Sequence, residues 1–148
     1  MTRLRIFRRL ISSRVARWIA AALLLMLLQS CAFPSDAQRI HRYARLIRLN
    51  ETELLSAAKQ GSTSLPEVDR IAAWGNAAVF SMDAFGLVPS GTEWGFYFSP
   101  EDEPLPIPFA QDTPLAPSGE GWAYAEYGDN RGYTQRIRPC WYYFSAHW

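Results

Sequence analysis

Three carboxylates stand together at Glu101-Asp102-Glu103, a thiol stands at Cys140, and the two imidazoles are His41 and His147. Adjacent acids offer oxygen ligands for Ca²⁺, or the acid and base of a glycan hydrolase. Pro100 and Pro104 flank them, however, and that setting reads as a solvated turn. Cys140, in Arg138-Pro139-Cys140-Trp141, has the chemistry of a nucleophile, but both histidines are remote in sequence and no partner motif accompanies it. It reads as a small buried hydrophobe. His41 and His147 lie at opposite ends of the segment after residue 31, so converging ligands are missing and neither a metal nor a cofactor is expected. Phosphate-binding glycine loops, nucleophile elbows and dinucleotide fingerprints do not occur. Asp129-Asn130-Arg131 has the residue types of a binding loop, which hairpin geometry explains equally well. No catalytic residue is assigned, and the expectation is a protein that is not an enzyme; one acting through Glu101, Asp102 or Cys140 ranks last.

Aromatic rings are the more unusual resource. Trp94, Tyr97, Trp122, Tyr124, Tyr127, Tyr133, Trp141, Tyr142, Tyr143 and Trp148 crowd into the second half of the chain. On an alternating strand Trp141 and Tyr143 face one way while Tyr142, Phe144 and Trp148 face the other, so both sides carry rings. One side is core; the other either packs under helices or forms a platform for a sugar or a protein. Trp94, Trp122, Trp141 and Tyr143 are the candidate binding residues.

The elements that must position these groups begin after a leader. Arg3 to Arg17 give a positive start, Trp18 to Leu28 an uncharged apolar helix former, and Leu28-Gln29-Ser30-Cys31 an aliphatic residue at minus three and a small residue at minus one before a cysteine. The apolar run is shorter than the roughly 20 residues of a spanning helix. This segment resembles the signal peptide and lipobox of bacterial lipoproteins. The resemblance implies removal of residues 1–30, acylation of Cys31 with chains such as palmitate, and attachment to the membrane through a tether at 31–35. Ala32 after the cysteine implies the outer membrane, with the domain facing the periplasm. The alternative is an uncleaved single-span membrane protein with Cys31 an ordinary residue, in which case a Cys31 to Cys140 bridge becomes available.

Residues 36–148 form a single small domain by length. Asp36 to Leu49 carries Ile40, Tyr43, Ala44 and Ile47 at helical spacing. Arginines at 39, 42, 45 and 48 wind around that helix, either as a solvated face or as a juxtamembrane surface resting on anionic head groups. Asn50-Glu51-Thr52-Glu53 has the form of a capping box opening a second helix to about Gln60, with Gly61 as its stop. Val68, Ile71, Ala72, Gly75, Val79, Met82 and Phe85 predict a third, amphipathic helix ending near Gly86, with Gly75-Asn76 as an interruption.

Strand grammar follows. Glu93 to Phe98 is a strand closed by a turn, and prolines at 104, 106, 108, 114 and 117 leave an extended surface loop. Gly121 to Tyr127 and Tyr133 to Arg138 form a hairpin, and Trp141 to Trp148 ends the chain as a strand. The expected fold is α+β, with N-terminal helices followed by a small antiparallel aromatic-rich sheet of three or four strands. Gly121-Trp122-Ala123-Tyr124-Ala125-Glu126-Tyr127 resembles the strand near the end of bacterial SH3-type domains. Trp94 to Pro100, Gly128 to Arg131 and Trp141 to Phe144 together are similar to short uncharacterised bacterial proteins, which carry no activity across.

Six of the fifteen basic residues precede the apolar run, so the chain from Cys31 onward holds nine against fourteen acids, a net charge of −5. Nucleic acid is thereby disfavoured as a partner, since phosphate neutralisation needs surplus clustered Lys and Arg. The sequence predicts a non-enzymatic envelope lipoprotein contacting a partner protein, with a cell-wall (peptidoglycan) glycan-binding module as the alternative; its oligomeric state is open.

Overall fold

Phe80, Phe96 and Trp141 belong to three different strands, and the way those strands meet sets the architecture. The computed structural model describes residues 34–87 and 90–148, with residue 15 and residues 18–22, the last five helical. The lipobox, Cys31 and most of the leader lie outside the described residues. Among those described, no helix is long and apolar enough to cross a membrane.

Among the described residues the helix α1 (Asp36–Gln60) is followed by seven strands: β1 (Arg70–Trp74), β2 (Ala77–Leu87), β3 (Ser90–Phe98), β4 (Ala116–Ser118), β5 (Gly121–Ala125), β6 (Arg131–Arg138) and β7 (Trp141–His147). They form one antiparallel sheet in the order β1-β2-β3-β7-β6-β5-β4. The α+β class and the aromatic-rich antiparallel sheet agree with the sequence reading; the strand count does not, because the sheet has seven strands and not three or four.

Much of the difference lies at 68–85, where the expected third helix is instead the β1–β2 hairpin. Ala77 to Met82 are consecutively buried, so β2 is covered on both faces and loses the alternation that marks a strand. Its apolar run then satisfies a helical template equally well. Gly75, at φ 58°, and Asn76 close the hairpin between the paired Trp74 and Ala77. Glycine at the first central position is what a type II′ turn demands.

α1 kinks at Asn50 (φ −129°, ψ 22°), the residue expected to divide two helices. The reciprocal bonds of a capping box are replaced by others. The Asn50 side-chain amide donates to the Leu46 carbonyl at 3.0 Å, and the Glu53 carboxylate accepts from Ser64 Oγ at 2.7 Å. Gly61, at φ 71°, ends the helix with its N–H on the Ala57 carbonyl.

Tyr43, Ile47, Leu54 and Ala57 line one face of α1 and pack on Ala78, Phe80, Met82, Phe96, Trp141 and Tyr143. Phe80 and Phe96 stack at 5.0 Å between ring centroids, and Trp141 lies 5.8 Å from Phe96. Each large side chain so buried contributes about 1.5–3 kcal/mol of transfer free energy. The β2–β3 register shifts between Ser81 and Asp83, and this bulge lets Asp83 accept a hydrogen bond from the Tyr43 hydroxyl at 3.1 Å.

The other face carries Val79, Tyr97, Tyr124, Tyr142 and Phe144. Its cover follows from topology. β3 lies mid-sheet and β4 at the far edge, beyond β7, β6 and β5, so residues 99–115 must cross about 19 Å of sheet at the usual strand spacing. The expectation of a surface loop is corrected here: the segment is a strap that buries Ile107 and Phe109, and Pro117 falls within edge strand β4. An edge is where a sheet tolerates proline.

Tyrosines anchor the strap. The Tyr97 hydroxyl accepts from the Leu105 N–H at 2.8 Å and, since Thr134 Oγ1 donates to the Tyr143 carbonyl, donates to Thr134 at 2.7 Å. Tyr124 donates its hydroxyl to the Ile107 carbonyl, and Tyr142 to the Asp102 carbonyl at 2.6 Å. The Tyr124 ring also lies across its cross-strand partner Gly132, where an added Cβ would come within 2.3 Å of it.

Burial holds the Tyr97 and Tyr124 phenols well above the ordinary value of 10.0. Their folded-state values are raised, so the stability they contribute is complete below that value and is lost as pH rises beyond it. Tyr124→Phe should cost about 1–3 kcal/mol by leaving the Ile107 carbonyl unpaired. It should also flatten the alkaline fall in stability, both read by urea denaturation across pH.

Candidate functional site

The three acids of 101–103 go separate ways. Glu101 accepts from the Asn76 side-chain amide at 2.7 Å, Glu103 is exposed, and Asp102 turns inward at φ 56°. The Asp102 carboxylate accepts from Arg136 Nε at 3.1 Å and from Arg136 Nη2, from the Cys140 N–H at 2.7 Å and from the Tyr142 hydroxyl at 3.1 Å. These bonds join the start of the strap to the β6–β7 turn. The guanidinium first, then the Cys140 amide, hold the Asp102 carboxyl below the usual carboxylate range. Burial first, then donation to Asp102, pushes the Tyr142 phenol up to about 12. A carboxylate with this many donors is a structural tie, and its lone pairs are spent on the fold.

Cys140 sits at φ 64° after Pro139, the third position of a turn that glycine usually fills, and is partly exposed. Its sulfur faces the Pro100 carbonyl at 3.9 Å. His41 and His147 are not brought together: His147 Nδ1 hydrogen-bonds Thr92 Oγ1 at 2.8 Å, and His41 is exposed on α1. Among the described residues, no group of three or more His, Cys, Asp or Glu converges as a metal site.

Of the four ring residues named as binding candidates, Trp141 and Tyr143 are 0% exposed and belong to the core beneath α1. Trp141 Nε1 donates to Glu51 Oε1 at 3.2 Å, so its polar end is spoken for as well. Trp94 and Trp122 are half-buried, packed against opposite faces of the sheet. Of the two arrangements left open for the rings of β7, core or platform, the strand has its rings covered on both faces, by the helix on one and by the strap on the other. Rings reach solvent elsewhere: Phe85 at 63%, Tyr127 at 100% and Trp148 at 37%.

Phe85 and Trp148 flank a cleft of about 470 Å³ at one end of the β2–β3 hairpin, with Gly86, Gly91 and Thr92 in its wall. Trp148 is held there by two backbone bonds with Gly91, at 2.7 and 3.0 Å. A second groove, of about 450 Å³, runs between α1 and β6 and is lined by His41, Ala44, Arg45, Arg48, Ile137 and Arg138. It breaks up the arginine row seen in the sequence. Arg39 is buried with its guanidinium on the Pro34 carbonyl, and Arg42 approaches Asp83 at 3.6 Å. Only Arg45 and Arg48 remain for the groove. Positions 41, 45 and 48 share a helix face by the three-and-four rule, a signal available in the sequence. The arrival of Arg138 from β6 was not.

Compared with protein-family models, with curated proteins and with solved structures, the chain matches none.

Asp102 has a lowered folded-state value, so the stability it supplies is complete above the ordinary carboxylate range and is lost as pH falls through it. Asp102→Asn should remove that share of the acid dependence and loosen the β6–β7 turn. Acid denaturation followed by near-ultraviolet circular dichroism, compared with Glu103→Gln as the exposed control, reads both effects.

Proposed function

We propose that this chain is a membrane-anchored envelope lipoprotein, acylated at Cys31, whose folded domain is a non-enzymatic module for contacting a partner protein in the periplasm. The observation that carries the reading is Leu28-Gln29-Ser30-Cys31 directly after a basic start and an apolar run too short to span. Two acyl chains or more give lasting attachment, at about 0.8 kcal/mol per buried methylene. The fate of the reactive groups is in keeping with binding as opposed to catalysis: Asp102 is consumed by Arg136, Cys140 and Tyr142, and Cys140 shapes a turn. Interaction surface remains where Phe85 and Trp148 reach solvent beside their cleft.

A second reading, a module stacking cell-wall sugars, is favoured by the exposed indole of Trp148 and no longer by Trp141 or Tyr143. Cys31→Ser should abolish the acyl mass on that residue and leave residues 1–30 attached, read by mass spectrometry of the amino-terminal peptide. An unmodified Cys31 with an intact leader in the native product would contradict the proposal and favour the uncleaved anchor. Sedimentation with purified peptidoglycan separates the two binding readings: pelleting that Trp148→Ala abolishes supports the glycan reading, and no pelleting removes it.

A further inference from the structure

We propose that the groove between α1 and β6 binds the phosphate of an anionic phospholipid head group, seating this flank of the domain on the membrane surface. The argument begins with pairing. Of the nine basic residues from Cys31 onward, Arg39, Arg42, Arg70, Arg136 and Arg138 each stand within 4.0 Å of a carboxylate. Of the other four, none with a carboxylate partner among the described residues, Lys59 and Arg131 lie apart, and Arg45 and Arg48 line the same groove. In a chain segment whose net charge is −5, two unneutralised guanidinium groups on one face form a local positive field.

The groove has the parts of a phosphate seat. Arg45 and Arg48 bring planar forks that match phosphate oxygens, and His41 adds a ring nitrogen on the same helix face. Arg138 closes the far wall, its guanidinium fixed at 3.2 Å from Glu51, whose other oxygen is tied to Trp141. Ala44 and Ile137 give an apolar floor on which the glycerol backbone of a lipid can rest. The choice of a membrane over a soluble phosphate rests on the lipid-anchor reading. Cys31 precedes His41 by ten residues, and at an extended rise of about 3.5 Å per residue an acylated Cys31 stays within roughly 35 Å of the groove. Juxtamembrane arginines of this kind draw a surface toward anionic lipid.

The test uses the full chain in neutral detergent micelles, titrated with short-chain phosphatidylglycerol while amide signals of residues 41–48 and 137–138 are followed by NMR. Phosphatidylcholine of the same chain length and inorganic phosphate are the comparison probes. Phosphatidylglycerol should shift those signals saturably and bind more tightly than either. Arg45→Gln and Arg48→Gln should each weaken it about fivefold, and the pair about 25-fold. Arg131→Gln, at the other end of β6, should leave it unchanged. Both substituted arginines are exposed, and unaltered thermal melting confirms that the fold survives. Undiminished binding by the double variant, or equal binding of phosphatidylcholine, overturns the proposal. Inorganic phosphate binding as tightly as phosphatidylglycerol overturns the membrane source. Acylation of Cys31 is not required for any arm, so mass spectrometry of that residue fails or succeeds independently.

Discussion

A stretch of chain with prolines at 104, 106, 108 and 114 cannot take its hydrogen bonds from a helix or a ladder, yet the strand order obliges it to lie across an apolar sheet face. Each buried N–H and carbonyl there must find another partner. Prolines remove some donors outright. Short local bonds take others, Phe109 N–H to the Pro106 carbonyl and Thr113 N–H to the Ala110 carbonyl among them. Side chains on the strands or just past them take more: Tyr97 for Leu105, Tyr124 for Ile107, Tyr142 for Asp102, and Glu126 for the Ala110 N–H at 2.7 Å. A tyrosine suits the role because its ring fills the core while its hydroxyl extends to the covering layer. Tyr97, Tyr124 and Tyr142 thus serve to hold a covering segment that makes only short local bonds with itself.

That roof decides which surfaces remain for function. With α1 on one face and the strap on the other, Trp141, Tyr143, Tyr97 and Phe144 are interior, and binding has to use rims and flanks. Two such places stand out by chemistry, the Phe85–Trp148 cleft at the hairpin end and the arginine-lined groove beside α1. The first is walled by the rings of Phe85 and Trp148 with glycines between them, and the second by the cationic side chains of Arg45, Arg48 and Arg138.

The sequence was legible where one residue type has one structural meaning. Gly61 ended α1, Asn50 divided it, and the β5–β6 hairpin and β7 lie within one or two residues of their expected bounds. It misled where burial on both faces erased alternation in β2, whose apolar run, joined to Ile71 and Ala72 of the exposed edge strand β1, passed for a helix. The strap was read correctly as non-repetitive, but composition cannot reveal that strand order drapes it over the core. Whether Tyr143 and Trp141 are core or platform stayed open for the same reason, since the ring content of a strand does not say what covers it. Arg138 and the helix arginines are ninety residues apart in sequence and meet only through the β3–β7–β6 pairing.

Native-state hydrogen exchange resolved at single amides addresses the roofing constraint most directly. Leu105 has a proline on each side and donates only to a phenol, so its amide reports that bond alone. It should exchange through the same global opening as the amides of β3 and β7, with equal free energy and equal denaturant dependence. Exchange of Leu105 at the rate of a solvated loop, while β3 and β7 stay protected, would contradict the account.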